Sequence, residues 1–190
     1  MPDDPRVARS KASILEATAQ LISEAGFPGV TIEAVAARSG AAKTTIYRHW
    51  PSRDALVVEA FDVCAGPPDG VRDTGTLRGD LRQILGGLAR FLREEGSCAS
   101  LQSLADAARR DPELAGLHAA FVAERRRPRV EALRRAVVRG QLPAGIDVDR
   151  AVSVVVGPLF YRATISFEPI DDDFVESVVD SALGALGADG

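Results

Sequence analysis

The chain has 190 residues, of which 46% are hydrophobic and 26% charged, and its formal net charge at pH 7 is −4. These proportions are typical of globular proteins, so they exclude a disordered tail, a collagen-like fibre and a disulfide-stapled miniprotein. The acidic balance also excludes a protein that coats nucleic acid through a uniformly basic surface, although it allows a local basic patch.

Targeting signals are missing from the sequence. The N-terminal residues lack the apolar stretch of a secretory signal, and the most apolar run, residues 151–161, is shorter than the roughly 20 residues that span a membrane. The two cysteines, Cys64 and Cys98, have no metal-ligand spacing around them, which fits a reducing compartment. We therefore expect a cytoplasmic protein that does not enter a membrane.

Helical periodicity runs through most of the chain, and the alternation typical of strands is absent. In the first part we expect four helices: one that ends near Gly26, one capped by Thr31 that ends at Gly40, one over residues 42–50, and one capped by Ser52.

The second part begins after residues 65–75, a stretch dense in glycine and proline that predicts a connector. Beyond it we expect helices over residues 76–95 and 97–110, followed by a helix capped by Asp111 that Pro128 should kink or divide. Two further helices are expected, one from Asp147 to about residue 166 and one from Asp171 or Asp172 to about residue 186. The sequence therefore predicts an all-α protein with an N-terminal lobe built on a three-helix helix-turn-helix unit (residues 8–66) and a larger helical lobe (residues 76–188).

Three short helices separated by tight turns, the second turn containing Gly40, form a helix-turn-helix pattern, whose second helix enters the DNA major groove in proteins that use it. Residues 1–60 contain as many basic as acidic residues, but four basic residues lie between Arg38 and Arg53 with no acid among them. A local cationic face of this kind is what contact with phosphates requires.

The sequence of residues 26–56, GFPGVTIEAVAARSGAAKTTIYRHWPSRDAL, resembles the DNA-binding lobe of the tetracycline-repressor (TetR) family. That family opens its second helix with Thr, places Gly in the turn, and continues with Thr-hydrophobe-Tyr-x-His-aromatic and Ser-Lys-x-x-Leu. Trp50 stands where Phe is commoner and Arg53 where Lys is commoner, and both replacements keep the physical role. The similarity covers about residues 10–60, whereas the second lobe is similar to the family only in the order and length of its helices.

Helical spacing places Lys43, Thr44 and Arg48 on the outward side of the third helix, where side chains reach base edges. The resemblance implies that Thr45, Tyr47 and His49 also contact DNA. The residues at the starts of the flanking helices, Thr31 and Arg53, are expected to clamp the DNA backbone. Three alternatives stay open: Tyr47 packed in the core, Arg48 as a solvated charge, and His49 as a capping or core residue.

By resemblance, the last two helices of the second lobe form a four-helix bundle with the same helices of a second subunit. The alternative is that part of the apolar side of each of these two helices is buried within one subunit. The residues expected at this homodimer interface are apolar: Val152, Val155, Val156, Leu159 and Phe160 on the first helix, and Phe174, Val175, Val178, Val179, Ala182 and Leu183 on the second. Such a dimer would present two recognition helices to a palindromic operator.

The family also places a pocket for a small, mainly apolar effector between the helices of this lobe. The candidate lining residues are Phe91, Leu101, Leu104, Phe121, Val122 and Tyr161, with Gln102, His118 and Arg162 as polar contacts. Ordinary core packing is the alternative for most of them. The resemblance therefore implies a homodimeric transcriptional regulator, in the default case a repressor, that an effector releases from DNA. A DNA-binding dimer without an effector pocket is the alternative.

A helical enzyme and an architectural DNA protein are the competing classes. The sequence contains only two histidines, on different predicted lobes, so no catalytic triad or histidine-rich metal site is expected. The run from Asp171 to Asp173 is expected to cap a helix rather than bind a metal, and no cofactor is expected. The acidic second lobe argues against an architectural protein.

Overall fold

The computed structural model describes residues 5–64, 71–94 and 96–188, and within these ranges it contains helices and irregular segments but no strand. The prediction of an all-α fold is confirmed. The helices are α1 (Pro5–Gly29), α2 (Ile32–Ser39), α3 (Lys43–His49), α4 (Arg53–Cys64), α5 (Leu77–Arg93), α6 (Ser97–Ala108), α7 (Pro112–Val138), α8 (Val148–Tyr161), a π-helical turn (Arg162–Ser166) and α9 (Asp172–Ala185). No helix in the described ranges is both long and apolar enough to cross a membrane.

The chain forms two compact units. The first unit comprises Met1–Pro67 and Ala99–Phe121, and the second comprises Pro68–Cys98 and Val122–Gly190. This division differs from the predicted lobes in one respect, because residues 99–121 pack with the N-terminal helices. The sequence could not predict this assignment of residues 99–121, because helical periodicity does not indicate the lobe against which a helix packs.

The first unit has a core of fully buried side chains contributed by all four N-terminal helices. Ile14 of α1, Val35 of α2, Ile46 of α3 and Leu56 of α4 are each 0% exposed. Helix α1 is interrupted at Gly26, whose φ of 67° lies in the left-handed region that glycine adopts at low cost. The expected end of the first helix therefore corresponds to a kink, after which one further turn leads to α2.

Local capping signals account for where most helices begin. Thr31 accepts a hydrogen bond from the N–H of Ala34 at 3.1 Å, and Asp147 and Asp171 accept from residues 150 and 174 at 3.0 and 2.7 Å. Each cap satisfies a main-chain donor that the first helical turn cannot pair. Helix α7 runs through Pro128 without a break, so the division of that helix does not occur.

A buried carboxylate holds the start of α5 to the end of α7 in the second unit. The Asp80 side chain is 0% exposed. It accepts hydrogen bonds from the Thr74 N–H (2.9 Å) and hydroxyl (2.8 Å) and from the Arg139 guanidinium (2.9 Å). Burial raises the pKa of Asp80, but these donors outweigh burial, so its pKa lies below the ordinary value. Asp80 is therefore ionised and paired at neutral pH.

Candidate nucleic-acid interface

Helices α2 and α3 form the helix-turn-helix that the sequence predicts. Gly40 closes α2 with a φ of 71°, and its N–H donates to the Ala36 carbonyl, so the chain turns within two residues into α3. Ile46 is 0% exposed and Trp50 is 2% exposed. Because these two residues fix one side of α3 against the core, its other side faces solvent.

The outward side of α3 carries the predicted base-contacting residues. Lys43, Thr44 and Arg48 are exposed, and Tyr47 is exposed over 55% of its surface. Thr45 and His49 are half-buried at the flanks of this face. Thr44 and Arg48 are four residues apart, so they lie one above the other at its centre.

The cationic face is weaker in space than along the sequence, because acids from neighbouring segments pair with its basic residues. Arg38 donates twice to Glu24, at 2.7 and 2.8 Å, and Lys43 forms an ion pair with Glu33 at 2.5 Å. The hydrogen bond from Arg38 holds the pKa of Glu24 below its usual value, and that from Lys43 does the same for Glu33. A window that counts residues 38–53 alone misses both acids.

Arg48 differs from these two residues. Within the described ranges it has no hydrogen bond or ion pair, and it is exposed. Its guanidinium is therefore available in full for a nucleic-acid acceptor, and guanine N7 and O6 match its fork of donors.

Arg53, at the start of α4, makes several contacts within the fold. Its Nε donates to the Val30 carbonyl at 2.5 Å, one terminal nitrogen donates to the Phe27 carbonyl, and the other pairs with Asp54 at 3.0 Å. The guanidinium also lies over the Phe27 ring, 4.1 Å from its centroid. These contacts give Arg53 a structural role, which is to hold the segment between α1 and α2, and its expected contact with the DNA backbone stays a prediction.

The end of α3 is held by a cluster that sequence reasoning missed. The indole N–H of Trp50 donates to Glu59 at 2.7 Å, and Lys11 pairs with the other carboxylate oxygen of Glu59 at 2.8 Å. The His49 ring lies 5.5 Å from the Trp50 ring, and its Nε2 is buried with no hydrogen-bond partner among the described residues. The cluster fixes the orientation of α3 relative to α1 and α4.

Helices α6 and α7 contact α1 and α4, which flank the helix-turn-helix, inside the first unit. The Phe27 N–H donates to the Ser103 hydroxyl of α6 at 2.9 Å, and the Phe61 ring of α4 meets the Phe121 ring of α7 edge-on at 5.3 Å. Ser103 has no sequence signature, since an isolated serine on a helix has many possible partners.

The comparisons with known proteins agree with this geometry. Residues 14–60 match the family described as "Bacterial regulatory proteins, tetR family", and residues 71–182 match "Tetracyclin repressor-like, C-terminal domain". The chain belongs to the TetR family. It is 34% identical to the DNA-binding transcriptional repressor TetR of Mycobacteroides abscessus, over 92% of each protein.

Two solved structures extend the comparison. The crystal structure of the TetR family transcription regulator SCO0332 is 32% identical, covers 93% of this chain and 97% of its own, and superposes with a TM-score of 0.75. The regulator FadR from Bacillus subtilis, in complex with stearoyl-CoA, shares the fold at 16% identity, with 92% and 96% coverage and a TM-score of 0.72. The TetR family consists of transcriptional regulators, so the chain is a DNA-binding transcriptional regulator and the enzyme hypothesis is dropped.

The predicted pocket residues of this TetR-family chain are divided between the two units. Leu101, Gln102, Leu104, His118 and Phe121 belong to the first unit, and Phe91, Val122, Tyr161 and Arg162 belong to the second. Tyr161 is 62% exposed and Val122 42%. Arg162 lies over the Phe174 ring, 4.0 Å from its centroid, and pairs with Glu168 at 3.2 Å. Within the described ranges, no group of three or more His, Cys, Asp or Glu residues could hold a metal ion.

Most residues of the predicted dimer interface are buried in the hydrophobic core of a single chain. The members with exposures of 7% or less are Val152, Val155, Leu159, Val175, Val178, Val179 and Ala182. The remaining members are half-buried and pack against the same hydrophobic core: Val156, Phe160, Phe174 and Leu183. The seven buried side chains cannot also face a second subunit, so this part of the expected interface is wrong and core burial within one subunit accounts for it.

A second set of apolar residues, from α8 and the π-helical turn that follows it, is exposed instead of buried. Val154, Pro158, Tyr161 and Ile165 follow one another at spacings of four, three and four residues, and all four are exposed. We call this set the α8 stripe. Phe167, just beyond the π-helical turn, is 76% exposed.

Proposed function

We propose that the chain is a homodimeric repressor that binds a palindromic operator through α3 and leaves DNA when a small effector binds. The observation that carries the proposal is the outward face of α3. It combines an unpaired guanidinium, two hydroxyl groups and a lysine on a helix whose opposite side is locked into the core.

We assign a role in DNA binding to each residue of that face. Arg48 and Thr44 contact base edges, because they occupy the centre of the face. Lys43 exchanges Glu33 for a phosphate or a guanine when DNA arrives. Tyr47 donates its hydroxyl to a phosphate. The remaining predicted contacts, Thr31, Thr45 and His49, are assigned to the flanking backbone.

Selection of bound sequences from a random DNA pool tests this assignment. Wild-type protein should enrich one motif, and Arg48→Ala should lose preference at one position of it, with about 1–3 kcal/mol less discrimination against the wrong base. The control is Arg90→Ala, which removes an exposed arginine of the second unit and should leave the motif intact. An unchanged motif with Arg48→Ala would remove Arg48 from base contact.

The α8 stripe is the proposed dimer surface, in place of the buried stripe. Apolar side chains repeated along one exposed helix face are unusual on a monomer, and a second copy of the chain would cover them. Ile165→Glu places a charge in that surface and should give monomers in sedimentation, together with a large loss of operator affinity. Glu131→Gln changes an exposed residue outside the stripe and should leave the dimer intact. Dimers of Ile165→Glu would place the interface elsewhere.

Effector release is supported by the fold that FadR shares, since that protein was crystallised with an acyl-CoA. The second lobe of this chain is the proposed binding region, and the cytoplasm is the proposed location. Thermodynamic linkage requires that an effector that weakens operator binding is itself bound more weakly in the presence of operator, by the same factor. Equal effector affinity with and without operator would leave a DNA-binding dimer whose second lobe only dimerises.

A further inference from the structure

Helix α3, which carries the proposed base contacts, is short and depends on neighbouring elements for its position. It has seven residues, and Ala42, the residue before it, provides no side-chain cap. A helix of about two turns is unstable by itself in water. Two side chains hold its inward side: Ile46 is 0% exposed, and Trp50, which follows its last turn, is 2% exposed. The contacts that fix Trp50 therefore also fix the end of α3.

Trp50 is fixed by a polar contact as well as by packing. Its indole N–H donates to Glu59 of α4 at 2.7 Å, across nine residues of sequence. Since α3 and α4 are joined by residues 50–52 alone, this bond ties the connection to the second turn of α4. Phenylalanine would fill a similar space but has no donor for Glu59. Because a hydrogen bond is directional and apolar packing is not, the bond selects one arrangement of α3 against α4.

Lys11 of α1 holds the Glu59 carboxylate in place for this contact. The Lys11 ammonium pairs with the other Glu59 oxygen at 2.8 Å and lies 5.8 Å from the centroid of the Trp50 ring. One carboxylate oxygen is therefore used toward α1 and the other toward Trp50. Glu59 is half-buried, so water competes less for these contacts than at a fully exposed position. We call Lys11, Trp50 and Glu59 the α3 brace.

We propose that Glu59 is a positioning residue for operator recognition and acts through the indole N–H of Trp50. Arg48 and Thr44 lie on the outward side of the helix whose end the α3 brace holds, so a rotation of α3 moves both away from base edges. Base contacts depend on hydrogen-bond geometry, whereas non-specific binding depends on charge. The inference rests on the proposed function, because it requires that the outward face of α3 meets the operator.

The variants Glu59→Gln and Glu59→Met isolate the hydrogen bond to Trp50. Both remove the charge that pairs with Lys11, but only glutamine keeps an oxygen that accepts from the indole. In gel-shift titrations on the DNA sequence that the wild type selects, Glu59→Met should bind about three- to thirty-fold more weakly, because the operator must then select one arrangement of α3 from several. Glu59→Gln should keep most of the wild-type affinity. Equal operator affinities of the two variants would overturn the proposal.

A double-mutant cycle tests whether Glu59 acts through Trp50. Trp50→Phe removes the indole N–H, keeps an aromatic ring, and should also weaken operator binding. In the Trp50→Phe background Glu59→Met should change operator affinity by less than about two-fold, because the hydrogen bond is already absent. Losses that add in the double variant would show that Glu59 acts independently of Trp50 and would overturn the proposal.

Random-sequence DNA distinguishes positioning from a merely structural role. All affinities are measured below the unfolding transition of each variant, followed by circular dichroism, and acrylamide quenching of Trp50 in the two Glu59 variants checks that the indole stays buried. Affinity for random-sequence DNA should be the same for Glu59→Gln and Glu59→Met. Glu16→Met, which removes an exposed acid of α1, should show no loss of affinity for either DNA. Parallel losses on operator and random-sequence DNA with Glu59→Met would assign Glu59 a structural role and overturn the proposal.

The selection experiment with Arg48→Ala separates this inference from the proposed function. A wild-type motif that depends on Arg48, together with equal operator affinities of Glu59→Gln and Glu59→Met, would support the role of α3 and refute the positioning role of Glu59. The same motif with weak operator binding by Glu59→Met alone would support both. Wild-type protein that selects no sequence would overturn both.

Discussion

Replacing Arg53 with methionine removes a guanidinium that joins the start of α4 to the segment between α1 and α2. The methionine keeps an apolar chain over the Phe27 ring but offers no donor. The Val30 carbonyl then loses its hydrogen bond, because among the described residues no main-chain N–H is donated to it. The Phe27 carbonyl keeps the Val30 N–H at 3.3 Å.

The expected loss follows from these contacts. An acceptor left unsatisfied in a partly buried segment costs about 1–3 kcal/mol, and a cation over an aromatic ring contributes about 0.5–1 kcal/mol. Arg53→Met should therefore lower the free energy of unfolding of the first unit by about 1.5–4 kcal/mol.

Urea unfolding followed by tryptophan fluorescence measures this loss. The chain has one tryptophan, and Trp50 is buried in the first unit, so its emission reports the unit that Arg53 holds. Arg48→Met, an exposed residue of the same lobe, should unfold as the wild type does. An unchanged midpoint for Arg53→Met, with weaker binding to all DNA sequences and a salt slope reduced by about one ion, would refute the structural role and return Arg53 to the DNA backbone.

Three further perturbations test other contacts. Glu33→Gln should tighten DNA binding about two- to five-fold in gel-shift titrations, because Lys43 no longer exchanges an acid for a phosphate; weaker binding would contradict this. Ser103→Ala should lower the stability reported by tryptophan fluorescence by about 1 kcal/mol, since the Phe27 N–H loses its acceptor; no change would mean that this hydrogen bond contributes nothing to the first unit. Asp80→Asn should destabilise the second unit by about 3 kcal/mol in urea unfolding followed by circular dichroism. Because the pKa of Asp80 is lower in the folded state, its contribution is present above pH about 4 and is lost as the pH falls through the folded value. The Asn variant should lack this loss, and an equally acid-sensitive variant would contradict the role of Asp80.

The elements of the DNA-binding lobe could be predicted because their signals are local. Thr31 caps α2 through a donor three residues away, and Gly40 ends the same helix by its own conformation. The inward side of α3 follows from the spacing of Ile46 and Trp50. Each of these features can be inferred from residues that are close together in the sequence.

The partners of the charged residues could not be predicted, because they come from distant parts of the chain. Glu24 reaches Arg38 from another helix, and the carbonyls that Arg53 binds lie 23 and 26 residues away from it. A count of charges along the sequence grouped these cations into one local face suited to contact with phosphates. Only Arg48, of the four basic residues from 38 to 53, has no partner within the described chain.

The dimer surface was misplaced for a related reason. Helices α8 and α9 are apolar on more than one side, and periodicity shows that a stripe is apolar without showing what covers it. Val155 and Val179 lie in the core of one chain, whereas Tyr161 and Ile165 are exposed. The sequence pattern alone gave no means of ranking the two sides.

The most direct test of the central claim is a hydroxyl-radical footprint on the DNA sequence that the purified protein selects. A dimer that docks two copies of α3 should protect two half-sites related by a two-fold axis, with centres about 34–36 Å apart. Ile165→Glu should abolish the paired pattern at the same protein concentration. A single asymmetric protected site, unchanged by Ile165→Glu, would contradict the account of a dimeric operator-binding regulator.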